Sequence, residues 1–371
     1  MKKLIKFILM AYGIGVLTVA ADQEETSSSS STHFLAAEPV KYADGRPAAQ
    51  WRVEARDAGS VLKHGAGPNQ CDYLGARDVW VWETGGKYFM HYDGAGPNGW
   101  LACLATSDNL TNWTTRGAVL DLGQTDDGDS ASASYGTTFW DGKTWHMFYM
   151  GTRHVSSAPN LIPVTPYMTM KARSESPLGP WRKQSGLSPF RCEANTYYSD
   201  TASPGQIIKQ GHEYLMFFSA ATQREGHLLR TLGIARTKNL DGPWAVDPQP
   251  VVPVSEQIEN SSLYFEPANH TWFLFSNHVG IENGNEFTDV IWVYWTKDLN
   301  HWNPDRKAVV LDGSNCVWSR KCIGLPSVVK VGRKLAIFYD APGNDSISHM
   351  KREIGLAWLD LPLSPPPDRI R

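Results

Sequence analysis

The chain has 371 residues, 42% of them hydrophobic and 20% charged, with a formal net charge of −3. No lysine or arginine cluster supplies the electrostatic footprint of a nucleic-acid-binding protein, so a neutral or mildly charged ligand is expected. The five cysteines, Cys71, Cys103, Cys192, Cys316 and Cys322, lack metal-ligand spacing; only Cys316 and Cys322 stand near enough in sequence to pair, and the odd number leaves at least one thiol free.

Residues 1–21, MKKLIKFILMAYGIGVLTVAA, place Lys2, Lys3 and Lys6 ahead of an apolar run that ends in small residues at Ala20 and Ala21. That pattern predicts a secretory signal peptide, and with it an exported protein, periplasmic or extracellular. Residues 22–49 open with DQEETSSSSST, a charged, serine-rich tract with nothing to bury, expected to be a flexible linker or N-terminal arm. No further membrane-length apolar run follows, so residues 50–371 are expected to form one domain that stays out of the membrane.

Two patterns then alternate along the sequence. The first is a turn followed by aromatic and aliphatic residues: GGKYFMHY from Gly85, DGKTWHMFY from Asp141, QGHEYLMFF from Gln210, ANHTWFLF from Ala268 and VGRKLAIFY from Val331. The second is a β-rich segment ending in a polar turn and a tryptophan: SDNLTNW closing at Trp113, SESPLGPW at Trp181, TKNLDGPW at Trp244 and TKDLNHW at Trp302, with IGLAWLD from Ile354 as a copy lacking the tryptophan. The period is about sixty residues, and alternating apolar positions bounded by turn residues argue for strands. Repeats of this kind, which fill the sequence from about residue 70, predict an all-β fold: a five-bladed β-propeller of four-stranded antiparallel blades. The tryptophan turns are expected to pack between blades, and QWRVEARDA, from Gln50 to Ala58, to supply an outer strand that fastens the last blade to the first.

Inner strands of a propeller converge on a central channel, so acids near their starts can meet there. Blade one offers Asp78 in GARDVWVWETGGKYF, blade three Asp200 in YYSDTASPGQIIKQ, and blade four Glu259 in QIENSSLYFEP; blades two and five have ASYGTTF and IGLPSVV instead, without an acid. Asp72 and Asp129 are the alternatives on blades one and two. Candidate substrate contacts are His64, His154, Arg224 and His278, in loops expected to edge the channel, together with Trp80, Ser134 and Trp318. One of the histidines could ligate a channel cation such as calcium, although no cofactor is required and no metal-ligand set is predicted.

The units resemble those of glycoside hydrolase families 43, 32 and 117, whose inner strands carry an aspartate on blade one, an aspartate on blade three and a glutamate on blade four. The Arg77–Asp78 pair suits family 117, while Val79 departs from the patterns of both families 43 and 117, and the usual third-blade aspartate falls where this sequence has Ser203. The resemblance implies Asp78 as general base, Glu259 as general acid, and Asp200 as the group that orients the sugar and keeps the acid protonated; family 32 would instead make Asp78 a nucleophile. The chemistry needs one acid for the leaving oxygen and one carboxylate across the sugar, about 6.5–9.5 Å apart for inversion and about 5–5.5 Å for retention. The expectation is an exo-acting glycosidase that removes a terminal sugar from a plant or algal oligosaccharide, with inversion. A family 130-type phosphorylase would require a phosphate-binding basic cluster, which is not gathered anywhere along the sequence. A non-catalytic glycan-binding propeller is the alternative from another class.

Overall fold

The computed structural model describes residues 32–38, 40–184 and 186–367. The segment read as a signal peptide, and residues 22–31 of the serine-rich tract, lie outside them. The five blades follow one another in sequence order, each an antiparallel meander running outward from the centre. The inner strands are Gly75–Thr84, Ser132–Trp140, Thr201–Gln210, Ile258–Glu266 and Gly324–Val331. Blades one to four complete themselves with outer strands Thr114–Ala118, Arg182–Lys183, Ala245–Val246 and Lys307–Leu311. Blade five does not: its outer strand is Arg56–Leu62, which pairs antiparallel with Glu353–Asp360. The stretch from Gln50 to Ala58 therefore closes the ring, as its sequence suggested, and its pairing runs on to Leu62.

Middle strands are sandwiched between neighbouring blades, which is why they read as unbroken apolar runs; every residue of Trp145–Thr152 is buried. The apolar side chains of the described residues accordingly collect in five clusters, one at each seam. The recurring tryptophan turn builds those seams. Its opening Ser107, Thr237 or Thr296 accepts the backbone N–H two residues on. The turn leucines Leu110, Leu240 and Leu299 are buried, and the indoles of Trp113 and Trp302 donate to the carbonyls of Leu110 and Leu299 at 2.8 and 2.9 Å. Each ring then meets the middle strand of the preceding blade edge to face: Trp113 on Phe338, Trp181 on His91, Trp244 on Phe148 and Trp302 on Phe217. A serine or threonine, a leucine and a tryptophan recur because one residue caps the turn, one anchors it, and one seals the joint.

His91 is the exception in that series of phenylalanines. It is fully buried, and burial drives its imidazole pKa down to about 3, so it stays neutral. Its folded pKa lies below the unfolded value, so below about pH 6.5 the unfolded form takes up a proton that the folded form refuses, and stability falls as pH drops. His91→Phe, the residue three other blades use, is expected to be nearly neutral in stability at pH 7.5 and more stable than the native protein by about 2 kcal/mol at pH 5, measured by denaturant titration at both pH values.

Of the linker and the N-terminal arm expected for residues 22–49, the described residues 32–38 and 40–49 form the arm. Leu35–Ala36 pairs with Trp51–Arg52, which lies parallel against the outer strand of blade four. Phe34 packs on Phe273 and Trp295, and Arg46 covers the Tyr42 ring while forming an ion pair with Asp289. The aromatic and arginine side chains scattered after the serine tract give this segment enough to bury, so it is a docked arm. All five cysteines are free. Cys316 and Cys322 do not pair, because the Cys316 sulfur sits against the Tyr339 hydroxyl and the Cys322 sulfur against Arg352.

Candidate active site

Each inner strand is interrupted at the same depth by a β-bulge. In four blades the bulged residue has positive φ: Asp78 (53°), Tyr135 (26°), Asn260 (61°) and Leu325 (45°). Non-glycine residues enter this region only when the surroundings hold them there. What holds them is one polar side chain from the middle strand of the preceding blade, which accepts the bulged residue's N–H. Asp340 takes the N–H of Asp78 at 2.7 Å, Ser219 that of Asn260 at 2.8 Å, Asn277 that of Leu325 at 3.1 Å, and Asp93 that of Tyr135. The four acceptors occupy one register position, opposite the residue just before the bulge. At the remaining seam the acceptor's place falls to Met150 and the bulge contains Pro204, which has no N–H to donate. There the bulge rests on Gly205, whose Cβ would come within 1.7 Å of the Phe217 carbonyl oxygen, a place only glycine can fill.

This ring of bulges surrounds a cavity of about 280 Å³ lined by residues of all five blades. Asp78 and Glu259 both line it, side chains 15% and 20% exposed. Asp78 occupies the bulge itself, and Glu259 the position just before the bulge of blade four. The Asp78 carboxylate receives the Arg77 Nε–H at 3.2 Å, and Arg77 reaches on to His349 Nδ1 at 2.9 Å. Burial pushes the Asp78 pKa up against the opposing pull of Arg77. Arg230 clamps Glu259 Oε2 at 2.8 Å and Glu286 at 2.5 Å. His349 is held neutral, its pKa lowered to about 3 by burial and then by Arg77 and Arg352. Apolar residues, among them Ile162, Pro163 and Val164, also line the cavity, with Trp100, whose ring lies 5.2 Å from the Arg77 guanidinium carbon. The Trp100 indole donates to the Asn160 carbonyl at 2.8 Å, tying blade one to the long loop of blade two. Polar groups that can bond hydroxyls and apolar groups that can face C–H groups together suit a sugar ring.

Asp200 does not join the cavity wall. It sits just before the inner strand of blade three, and its carboxylate accepts the Ser199 hydroxyl at 2.7 Å and the Gln223 N–H at 2.8 Å, which is turn capping. The cavity-lining position of blade three belongs to Ser203. Asp200→Asn, which keeps both acceptor bonds, is expected to change kcat/KM by no more than about twofold, measured on whichever glycoside the native protein turns over.

The seven candidate contacts also fall outside the cavity wall. Trp80 donates to Thr138 in the seam between blades one and two, and Ser134 is buried beneath a bond from Ser132. His278 is buried against Asp289, and the Trp318 indole donates to the Tyr339 hydroxyl. His64 lies in a turn, His154 in a loop, and Arg224 ends the strand Glu213–Arg224. Glycine-bearing loops border both ends and the rim of a propeller, so loop membership alone did not locate the mouth. Asp72 and Asp129 are buried partners of Tyr92 and Tyr149, at 3.0 and 2.7 Å. Among the described residues no group of three or more histidine, cysteine or acidic side chains is placed to hold a metal ion, and of the cavity carboxylates Asp78, Glu259 and Glu286 are each paired with an arginine. Arg77, Trp100, Arg230, Glu286, His349 and Arg352 line the cavity. Of these, only Arg77 and Trp100 carried a signal in the sequence, one beside Asp78 and the other as an aromatic able to stack on a sugar.

No protein-family model and no curated protein sequence matches this protein. Solved structures do. A family 117 glycoside hydrolase from the marine bacterium Zobellia galactanivorans is similar with a TM-score of 0.55 at 16% identity, over 82% of this protein and 90% of that one. A thermostable family 43 glycoside hydrolase gives 0.56 at 13% identity, over 80% and 91%. A structure of a BT0996–RGII complex gives 0.62 at 17% identity, over 82% and 92%. The protein thus has the five-bladed propeller fold of these glycoside hydrolases.

Proposed function

We propose that the protein is an exported glycoside hydrolase that removes a terminal sugar from a plant or algal oligosaccharide, with Asp78 as general base and Glu259 as general acid. The observation that carries this reading is the meeting of Asp78 and Glu259, from blades one and four, on the wall of one cavity. Glu259 protonates the departing glycosidic oxygen, and Asp78 takes a proton from the water that attacks the anomeric carbon, inverting it. A volume near the lower end of ligand pockets favours one terminal residue over a glycan threaded through, and so exo action. The polysaccharide class is supported by the neighbours, one solved as an RGII complex and one from a marine bacterium.

The test is a panel of aryl glycosides and pectic and algal oligosaccharides, with products followed by chromatography and by proton NMR. Release of one terminal sugar, first as the inverted anomer, is expected. Ladders of internal fragments would overturn exo action, and binding without turnover on every member would leave a glycan-binding module. One observation favours phosphorolysis as a second reading: Arg77, Arg230 and Arg352, far apart in sequence, all line the cavity. Each is already paired, with Asp78, with Glu259 and Glu286, and with Asp340 respectively, which weighs against a phosphate. Turnover that required inorganic phosphate would reverse that judgement. For export, the expected N-terminus of protein secreted from an expressing host begins near Asp22.

A further inference from the structure

Resting on the proposed hydrolysis, we propose that Asp93, which also lines the cavity, is a neutral carboxylic acid on the middle strand of blade one that donates its Oδ2–H to the Asp78 carboxylate and positions it as an ionised base. The argument comes from comparing two aspartates that the fold places in the same register. Asp340 of blade five and Asp93 of blade one are both buried, and each accepts the N–H of the next blade's bulged residue through one oxygen. The second oxygen of Asp340 receives Arg352 Nη1 at 2.7 Å, so its charge is compensated. The second oxygen of Asp93 is buried and no donor reaches it. The nearest arginine in register is Arg77, directly across the strand pair, but its bonds go to Asp78 and His349.

A buried carboxylate with one oxygen that no donor reaches, set beside a second carboxylate, cannot remain charged cheaply even with Arg77 nearby. Burial and the neighbouring Asp78 charge both push the Asp93 pKa well up, while the hydrogen bond between the two carboxyls favours the ionised form of Asp78. Asp93 keeps its proton throughout the reaction. The water's proton goes to Asp78 and the leaving oxygen's proton comes from Glu259, so Asp93 is a positioning residue.

Two variants test this. Asp93→Ser installs the residue that blade three uses at this register, where Ser219 holds the N–H of Asn260, so the backbone bond is preserved. Asp93→Asn keeps both the acceptor and a donor. If Asp93 is neutral, the serine variant strips Asp78 of its donor and the acid limb of the kcat/KM profile moves up by about one pH unit, while the asparagine variant leaves it within about half a unit. If Asp93 is ionised, both variants remove a like charge and move the limb down, which would overturn the proposal, as would no movement in either. Infrared difference spectra, which need no turnover, separate this from failure of the hydrolase reading. In a Glu259→Gln background, which removes the proposed acid's own proton, the protein should show a protonated-carboxyl band at pH 7 that is missing when Asp93→Asn is added and retained when Asp340→Asn is added. Absence of that band, or its survival in Asp93→Asn, would refute a neutral Asp93 even in a protein that cleaves nothing.

Discussion

Glu259→Gln is expected to lower kcat/KM about 10³-fold on a glycoside with a poor leaving group while leaving sugar binding within a few-fold of native. Glutamine preserves shape and can still accept from Arg230 through its carbonyl oxygen, so the cavity keeps its walls; what it cannot do is deliver a proton to the glycosidic oxygen. The assignment of acid against base is sharpened by changing the leaving group. An aryl glycoside whose phenol departs as a stable anion needs little protonation, so the Glu259→Gln deficit should shrink to about tenfold. Asp78→Asn should stay about 10³-fold impaired on both kinds of substrate, because the attacking water still lacks its base. Equal recovery of both variants on the activated substrate would reverse or abolish the assignment. Calorimetric titration with the product sugar supplies the binding readout.

Asp340→Ala is expected to cost about 3–5 kcal/mol of folding stability. Asp340 and Arg352 are 0% and 1% exposed, and Arg352 spends its remaining donors on the Ser348 carbonyl at 3.0 Å, Cys322 and Thr288. Truncating the aspartate strands a buried guanidinium with no counter-charge, and it also releases the N–H that keeps Asp78 at positive φ. Both effects point the same way, so turnover should fall along with stability. Asp345→Ala is the internal control: its partner Arg320 is 59% exposed, water replaces the pair, and the denaturation midpoint should not move measurably. Chemical denaturation monitored by tryptophan fluorescence compares the two, and equal shifts would show that burial at Asp340 is not what matters.

The sequence made the blades visible because seam formation repeats the same local chemistry. A capping hydroxyl and a sealing tryptophan recur four times and a buried leucine three times, Leu178 of blade two being exposed, and the middle strands advertise burial on both faces. The site was legible only where an acid lies on an inner strand at the bulge, as with Asp78 and Glu259. Asp200 misled because three residues separate a turn-capping position from a cavity-lining one, and a short acidic motif does not reveal where the strand ladder begins. Arg230 and Glu286 reach the cavity from the third strands of blades three and four, His227–Thr237 and Asn285–Thr296, and His349 from a loop of blade five, where register decides the outcome. Asp93 in MHYDGAG looks like an ordinary middle-strand aspartate until the strand pairing sets it opposite Arg77 and against the next blade's bulge.

The outer strand of blade five, Arg56–Leu62, has a consequence for how the molecule comes into being. It pairs with Glu353–Asp360, so the annulus is riveted by segments about three hundred residues apart, and nearly the whole polypeptide must exist before the rivet can be set. Joining partners so remote in sequence demands loop-closure entropy before contacts reward it, and such topologies fold slowly. Until that moment the nascent arc exposes an unmated edge at either end. Trimming the polypeptide ahead of Leu62 or behind Glu353 would therefore injure the same joint, springing the circle open on the side that presents Asp340 to Asp78.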